Sequence, residues 1–300
     1  MPADPALAAL AGLTDRHALL RAATALIPAD TPRLDAELLL AHALGVSRLA
    51  MLASREPLAG DRLALFSELV ARRRTHEPIA HIVGEREFWS LALRVNADVL
   101  VPRPDSETLI EQAMLRCRER PPRMILDLGT GSGALLLAAL SVWPSAVGVG
   151  VDRSEAAVRV ARANARTLGF GERAHFLVGD WATGLDARFD LLLCNPPYIA
   201  DGTALMPDVA LHEPPAALFG GSDGLDPYRL LVPQLPALLV RGGLALFEFG
   251  EGQAPALLTL AGSCGLVAET APDLAGRPRA LALRVAADVP NGLGKPEGSV

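Results

Sequence analysis

Cysteine, lysine and aromatic residues are scarce in this chain. The three cysteines, Cys117, Cys194 and Cys264, lie far apart, and none belongs to a Cys-x-x-Cys pair. This pattern argues against a disulfide framework and a cysteine-based zinc site, so we expect a reducing, cytoplasmic location and no metal. Lys295 is the only lysine among 28 basic residues, which we interpret as coding bias.

A surplus of basic residues is also lacking. The formal net charge is −6. A protein that grips DNA through its phosphates usually carries excess positive charge, so we expect no direct nucleic-acid partner. Charged residues make up only 21% of the chain and hydrophobic residues 50%, a composition that excludes disorder for most of the sequence.

No hydrophobic run is typical of a membrane span. Residues 134–151 carry no charge, but Ser141, Pro144 and Gly148 interrupt them. We predict a buried helix, a turn and a buried strand there, and therefore no membrane partner. The first residues, Met1-Pro-Ala-Asp-Pro5, lack the basic residues of a signal peptide, so none is expected.

Hydrophobic spacing divides the chain into four segments. Residues 1–79 show the periodicity of helices, whereas residues 80–104 alternate as a β-hairpin does and contain a turn-like Asn96-Ala97-Asp98. Residues 105–287 contain alternating strand and helix patterns. The Pro- and Gly-rich residues 288–300 are predicted to be a disordered tail.

Short apolar runs within residues 105–287 are predicted strands. They are Met124–Leu128, Ala146–Val151, Ala174–Val178, Asp190–Cys194, Leu244–Phe249, Val267–Thr270 and Ala280–Val285. Helical patterns lie between several of them, including one over 227–240, but no helix-length segment separates the last two. Repeated strand–helix units predict a parallel, doubly wound sheet, so the fold class is α/β.

A glycine-rich loop follows the first of these strands and opens a helix. It comprises Gly129, Thr130, Gly131, Ser132 and Gly133. Such a loop lets the backbone approach a ligand closely, but NAD, FAD and S-adenosylmethionine folds share it.

Two details favour S-adenosylmethionine. Asp127 lies just before the glycines, where a carboxylate can take the ammonium of a methionine moiety. The helix continues Ala134-Leu-Leu-Leu137, without the third spaced glycine that packs a pyrophosphate site.

Acidic residues end the next two strands as well. Asp152 can accept hydrogen bonds from both ribose hydroxyls, as it would in an NAD site too. Asp180 can accept from an adenine amino group, and the neighbouring Trp181 can stack on the ring. Three acids at consecutive strand ends indicate a nucleotide-like ligand rather than three unrelated loop residues.

A second loop, Asn195-Pro196-Pro197-Tyr198, directly follows the fourth strand. The side-chain carbonyl of Asn195 and the main-chain carbonyl of Pro196 can hold the two hydrogens of a planar –NH2 group, and Tyr198 can stack on it. Holding this group so that its nitrogen lies in line with the methyl group of a sulfonium favours attack by the nitrogen on that methyl group. We expect that no general base is required before attack, because the product nitrogen can release its proton afterwards. No His or Glu is expected to adjoin the loop.

Longer motifs resemble one family. They are Glu77-Pro-Ile-Ala-His-Ile-Val-Gly84, Val101-Pro-Arg-Pro-Asp-Ser-Glu107, Val209–Arg229, Glu248-Phe-Gly-Glu-Gly-Gln253 and Asp273-Leu-Ala-Gly-Arg-Pro-Arg279. With the two loops, they are similar to the release factor glutamine methyltransferases over residues 20–285. The departures are slight: Ala80-His81 replaces a frequent aromatic, and Ser106 replaces the usual Thr.

The resemblance implies a helical domain over 1–79, a hairpin linker over 80–104 and a seven-stranded Rossmann-like methyltransferase domain over 105–287. It implies methyl transfer from S-adenosylmethionine, which leaves S-adenosylhomocysteine, to the Gln of Gly-Gly-Gln in class-one release factors. Separately, we expect the protein to be a monomer. Gly129 to Gly133, Asp152, Trp181 and Asn195 match the cofactor positions, and Asn195 to Tyr198 match the substrate positions.

Three other functions are compatible with the sequence. A DNA adenine methyltransferase could use the second loop on a flipped base, although no target-recognition region follows Tyr198. A ribosomal-protein glutamine methyltransferase shares most motifs, but Leu218-Phe-Gly-Gly221 and Gly129-Thr-Gly131 favour release factors. A non-enzymatic S-adenosylmethionine-binding module leaves Asn195 to Tyr198 unexplained.

Overall fold

The computed structural model describes residues 7, 10, 12–54 and 56–285, so the predicted disordered tail lies outside the described residues. By its contacts, the chain divides into two units. The helical unit contains the described residues up to Arg86 together with Arg94–Val101 and Ala204–Pro215. The sheet unit contains Glu87–Leu93, Pro102–Thr203 and the described residues from Ala216 onward.

Short helices around one apolar core build the helical unit. They are α1 (Arg16–Leu26), α2 (Pro32–Leu44), α3 (Arg48–Ala53), α4 (Asp61–Arg74), α5 (Ile79–Val83) and, much later in the chain, α9 (Pro207–His212). Leu39, Leu40 and Phe66 are fully buried between them. Helix α2 ends at Leu44, and the next residue, Gly45, caps it with a left-handed φ of 70°.

The hairpin comprises β1 (Glu85–Phe88) and β2 (Leu91–Arg94). Its tight turn is formed by Trp89 and Ser90, both of which have positive φ angles, 52° and 59°. The turn-like Asn96–Asp98 therefore lies after the second strand and not between the two. There the Asp98 amide donates to Asn96 Oδ1 at 3.1 Å, a local side-chain turn.

The sheet unit is a three-layer α/β structure. Its strands are β3 (Met124–Leu128), β4 (Val147–Asp152), β5 (Ala174–Val178), β6 (Phe189–Cys194), β7 (Leu239–Glu248), β8 (Leu266–Pro272) and β9 (Pro278–Val285). They lie in the order β5-β4-β3-β6-β7-β9-β8, with β9 antiparallel to both of its neighbours. This confirms the predicted α/β class and doubly wound sheet.

Helices of the sheet unit pack on this sheet. They are α6 (Glu107–Arg116), α7 (Ala134–Val142), α8 (Glu155–Thr167), α10 (Asp226–Leu231), α11 (Leu235–Leu238) and α12 (Ala254–Ser263). Helix α7 is almost wholly buried, as the uncharged run over 134–151 predicts. Among the described residues, no helix is both long and apolar enough to cross a membrane.

The single helix predicted over 227–240 is wrong. Helix α10 ends at Leu231, a 3-10 turn covers Val232–Gln234, α11 ends at Leu238, and strand β7 already begins at Leu239. Pro233 and Pro236 lack the N–H that a continuous helix requires, which explains the interruption.

Candidate active site

Strand register brings the two sequence loops to one edge of the sheet. Leu128, the last residue of β3, pairs with Val151 of β4 on one side and with Cys194 of β6 on the other. The next residues of the three strands, Gly129, Asp152 and Asn195, are therefore neighbours at the carboxyl edge. Ligands of doubly wound sheets bind at this edge.

The glycine-rich loop owes its shape to left-handed backbone angles. Gly129, Gly131 and Gly133 have φ values of 71°, 53° and 84°, which side chains with a Cβ rarely adopt. The Gly129 and Thr130 amides both donate to Val151 O, at 2.9 and 3.0 Å. The loop is thus fastened to β4 and opens helix α7 through Gly133.

Asp127 has an unpaired oxygen inside this loop. Its Oδ2 accepts a hydrogen bond from Thr130 Oγ1 at 2.6 Å, whereas its buried Oδ1 has no hydrogen-bond partner in the described part of the chain. Burial raises the pKa of Asp127 to about 7, although the Thr130 hydrogen bond lowers it. Buried polar atoms in folded proteins normally have a hydrogen-bond partner. The ammonium group of a methionine moiety could donate the missing hydrogen bond to Asp127 Oδ1.

Asp152 is held by backbone amides. Its Oδ2 accepts from the Gly131 amide and its Oδ1 from the Ser154 amide, each at 2.9 Å. Each carboxylate oxygen accepts more than one hydrogen bond, so both keep capacity for a diol. Ser132, also in the loop, is buried, and its carbonyl accepts from Asn164 Nδ2 at 2.9 Å.

Asp180 and Trp181 follow β5 at the same edge. Asp180 is exposed, and Trp181 is half-buried with a left-handed φ of 52°. A Cβ built on Gly129 would lie 3.4 Å from Trp181 Cζ3, so the indole packs on the glycine-rich loop. The structure therefore places the predicted stacking residue beside the loop, with the predicted adenine-binding acid next to it in the chain.

The second loop is anchored by two side-chain hydrogen bonds. Asn195 Nδ2 donates to Ser106 Oγ at 3.1 Å, and the Tyr198 hydroxyl donates to Glu248 Oε1 at 3.1 Å. Pro196 is buried and Pro197 half-buried. Because Asn195 faces Ser106 with its nitrogen, its Oδ1 is left to accept a hydrogen bond from a ligand.

Glu248 is the residue that sequence reasoning missed. This carboxylate ends strand β7, is 1% exposed, and also accepts from Ser106 Oγ at 2.5 Å. Burial raises the pKa of Glu248, while the hydrogen bonds from Ser106 and Tyr198 lower it. Tyr228 donates to the main-chain carbonyl of Glu248 at 2.6 Å, so both tyrosines of the chain bond to this one residue.

The expectation that no Glu adjoins the second loop holds only along the sequence and is wrong in space. A signal was present: Glu248 is the only charge within the apolar run Leu244–Phe249. A carboxylate in a buried strand requires hydrogen-bonding partners. Ser106, a residue type typical of helix caps, is one of them, and its side chain makes no cap hydrogen bond to α6.

Two glycines of the Val209–Arg229 motif pack closely against the second loop. A Cβ on Gly220 would lie 2.3 Å from Pro197 O, and one on Gly224 would lie 2.1 Å from Tyr198 O. Gln253 Nε2 donates to Tyr198 O at 2.9 Å. The segment Leu218–Asp226 and Gln253 therefore form one clasp around the loop, which we call the glycine clasp.

Two further observations concern the reactivity of Cys194 and the binding of metal ions. Burial raises the pKa of the Cys194 thiol well above its ordinary value, so this cysteine is a poor nucleophile. Within the residues that the structure describes, no group of three or more His, Cys, Asp or Glu side chains could hold a metal ion.

Comparison with known proteins gives matches in both units. A family model described as the PrmC N-terminal domain matches residues 17–84, and one described as a methyltransferase domain matches residues 123–216. A release factor glutamine methyltransferase of Rhodospirillum rubrum is 49% identical over 266 residues, which cover 85% of this chain and 79% of the relative.

A second protein of that name, from Nitratidesulfovibrio vulgaris, is 38% identical and covers 93% of this chain and 96% of its own length. Among solved structures, the hMettl16 catalytic domain in complex with a MAT2A 3′UTR hairpin aligns with a TM-score of 0.56 at 14% identity. This alignment covers 72% of this chain and 85% of that one. At such low identity, the structural likeness shows the fold alone.

Proposed function

The chain belongs to the release factor glutamine methyltransferase family, and on that premise we propose that it methylates the side-chain nitrogen of the Gln in Gly-Gly-Gln of class-one release factors. The methyl donor is S-adenosylmethionine. The observation that carries the proposal is the adjacency of Gly129 and Asn195, each of which follows a residue of the Leu128–Cys194 strand pair. A donor loop and an amide-binding loop thus share one edge.

Residues of the sheet edge would hold the cofactor. Asp127 Oδ1 would accept from the ammonium, Asp152 from the ribose hydroxyls, and Trp181 would stack on the adenine beside Asp180. The glycine-rich loop, residues 129–133, leaves room for the methionine part because its glycines carry no Cβ. When bound, the cofactor supplies a methyl group on a cationic sulfur, and the sulfur leaves with the bonding electron pair.

The second loop would orient the acceptor. Asn195 Oδ1 and the Pro196 carbonyl would each accept one hydrogen of the glutamine amide, and the Tyr198 ring would pack on the amide plane. Held in this way, the amide nitrogen would face the methyl group that the bound cofactor supplies, and the nitrogen–carbon bond would form as the carbon–sulfur bond breaks. The methylated nitrogen releases one proton to water, so no base is needed before attack.

The test is methylation of a purified class-one release factor by the full chain with S-adenosylmethionine, read by intact mass and by sequencing of the Gly-Gly-Gln peptide. We expect a mass gain of one methyl group on that Gln. A release factor with Gln replaced by Glu has no amide nitrogen there and serves as the matched control. Equal modification of this control would overturn the proposal.

Two further arms separate the alternatives. A ribosomal protein and an adenine-containing DNA duplex are offered under the same conditions, in competition with the release factor. Preferential methylation of the ribosomal protein would assign the chain to the sister activity, and methylation of DNA would assign it to base modification. The same samples, analysed by sedimentation, test the expected monomer.

A further inference from the structure

Three side chains from distant parts of the sheet unit form a hydrogen-bonded line. Asn195 Nδ2 donates to Ser106 Oγ at 3.1 Å, and Ser106 Oγ donates to Glu248 Oε2 at 2.5 Å. Ser106 and Glu248 are 4% and 1% exposed, so the hydrogen bond between them is shielded from water, whereas Asn195 is half-buried. We call Asn195, Ser106 and Glu248 the polar relay.

The direction of the relay follows from counting hydrogens. A serine hydroxyl has one hydrogen, and an ionised carboxylate can only accept. The Ser106 hydrogen is therefore committed to Glu248, and Ser106 Oγ can only accept from its other neighbour. Asn195 must then face Ser106 with its NH2 group, which places its carbonyl oxygen on the opposite side of the amide.

Protonation of Glu248 would reverse this order. A carboxyl group carrying its proton on Oε2 donates to Ser106 Oγ, which frees the Ser106 hydrogen for another acceptor. Asn195 Oδ1 can become that acceptor after a flip of the side-chain amide. The flipped amide presents NH2 where the proposed reaction needs an acceptor, so the glutamine nitrogen would lose one of its two contacts.

Several titratable or charged groups act on Glu248. Tyr198 donates to Oε1, and the Arg279 guanidinium lowers the pKa of Glu248, whereas the Asp105 carboxylate raises it. Arg279 Nη2 and Asp105 Oδ2 are 3.4 Å apart, so the two opposite charges partly cancel each other's effect on the pKa of Glu248. The neutral thiol of Cys194 and the hydroxyl of Tyr228 are also close enough to interact with Glu248 electrostatically. Tyr198 and the uncharged Ser106 hydrogen-bond directly to its carboxylate oxygens.

We infer that Glu248 is a positioning residue for the proposed methyl transfer: through Ser106 it sets which end of the Asn195 amide faces the substrate. The inference rests on the proposed function for the identity of the acceptor. Its structural part, the orientation of the Asn195 amide, stands on the geometry of the free protein and can be measured without substrate.

The first experiment therefore uses no activity. In the free full-length chain labelled with nitrogen-15, the Asn195 side-chain NH2 signals are assigned by their loss in Asn195→Asp and followed as pH falls. We expect a shift in these signals that is absent from Glu248→Gln and from Ser106→Ala. Signals that titrate alike in all three proteins would overturn the relay, whatever the substrate proves to be.

The second experiment measures single-turnover methyl transfer against pH at saturating cofactor and release factor. The wild type should lose rate on the acid side, because protonated Glu248 turns the amide. Glu248→Gln does not titrate and should lack the acid limb. With its amide nitrogen facing Ser106 it also reverses the hydrogen-bond order and should be about a hundredfold slower, the loss typical of one missing positioned contact. Cofactor and release factor affinities should change by less than about threefold, because Asn195, the relay residue proposed to contact the ligands, is unchanged in this variant.

Ser106 provides the matched controls. Ser106→Ala interrupts the relay without touching a charge and should be as slow as Glu248→Gln, while Ser106→Thr restores a hydroxyl and should recover most of that loss. The double variant should be no slower than either single variant, since both break the same line. Should Glu248→Gln fail to fold, the Ser106 pair carries the test.

The outcomes separate the two proposals. A wild type that methylates release factor while Ser106→Ala keeps its full rate would overturn the role of the relay alone. A wild type without activity on any release factor would overturn the proposed function, and the side-chain titration of Asn195 would still decide whether Glu248 orients the amide.

Discussion

Asp208 Oδ2 lies 2.7 Å from the Nη2 atom of Arg73, whose side chain is only 5% exposed. Arg73 also pairs with Asp35, at 2.7 Å between Nε and Oδ2. This contact fixes Ala204–Pro215, which follows the second loop in the chain, within the helical unit. His212 reinforces it through a 2.9 Å hydrogen bond with Thr75 O.

We predict that Asp208→Asn loosens this segment selectively. Replacing the carboxylate weakens a charged hydrogen bond of about 1.5–3 kcal/mol, while Asp35 still holds Arg73. Hydrogen exchange at the amides of helix α9, residues 207–212, should accelerate, and exchange in strands β3 and β6 should not. Glu155→Gln, which removes an exposed ion pair with Arg159, is the control and should change neither.

Asp127 should make cofactor binding depend on pH. Its pKa of about 7 in the free protein means that the carboxylate is lost as pH falls below neutrality. Because an ammonium group pairs with the charged form, S-adenosylmethionine affinity should weaken on the acid side and level off on the basic side. Calorimetric titrations roughly one pH unit either side of that pKa measure this.

Asp127→Asn should weaken binding by about 1.5–3 kcal/mol at alkaline pH and remove most of the pH dependence. Asp190 lies near the amino end of strand β6, away from the carboxyl edge that carries the candidate site. Asp190→Asn is therefore the matched control and should bind S-adenosylmethionine like the wild type. A pH dependence that survives unchanged in Asp127→Asn would show that another group takes the ammonium.

Gly224→Ala tests the glycine clasp. The new methyl group would lie 2.1 Å from the Tyr198 carbonyl oxygen, which requires the second loop to shift. We expect about 1–3 kcal/mol of lost stability from this overpacking and slower methyl transfer. Gly202→Ala is the control, because Gly202 has a similar φ of 78° with nothing within 4 Å of its Cβ position.

Both variants share the cost of a left-handed alanine, about 1–2 kcal/mol, so the difference between their unfolding free energies isolates the clash. Chemical denaturation gives that difference. If the two proteins were equally stable and equally active, the clasp would have no role in holding the loop.

Asn195→Ala should separate binding from turnover. Removing one of two acceptors lets the glutamine amide rotate, at a cost of about 2.7–4 kcal/mol in the transition state, or a hundred- to thousandfold in rate. Single-turnover methyl transfer at saturating cofactor and release factor is the measurement. A rate within about threefold of wild type would remove Asn195 from the mechanism.

Sequence patterns locate the strands well because each contains a short apolar run. The sheet buries almost all of that run in β6, but only Ala174 and Phe176 in β5. Met124–Leu128 and Ala174–Val178 have the predicted bounds. The patterns fail where the cause is local backbone chemistry, as at Pro233 and Pro236, which divide the helix expected over 227–240 into shorter pieces.

Sequence patterns also cannot pair distant polar groups. The site residues found from sequence all lie at or just after the carboxyl ends of strands, where the topology of a parallel sheet brings them together. Ser106 and Glu248, by contrast, are 142 residues apart, and only the folded sheet shows that they share a hydrogen bond. An isolated acid in a buried strand indicates that a partner exists but not which residue it is.

The glycine clasp has a consequence for protein engineering. Anyone grafting the Asn195–Tyr198 loop onto another methyltransferase scaffold would transplant a sequence of four residues whose carbonyls are supported from outside. A recipient with larger side chains at positions 220 and 224 would clash with the Pro197 and Tyr198 carbonyl oxygens. A recipient without Gln253 would also lack the hydrogen-bond donor to the Tyr198 carbonyl. The smallest transferable part is therefore discontinuous: the loop, Leu218–Asp226 and Gln253 must move together.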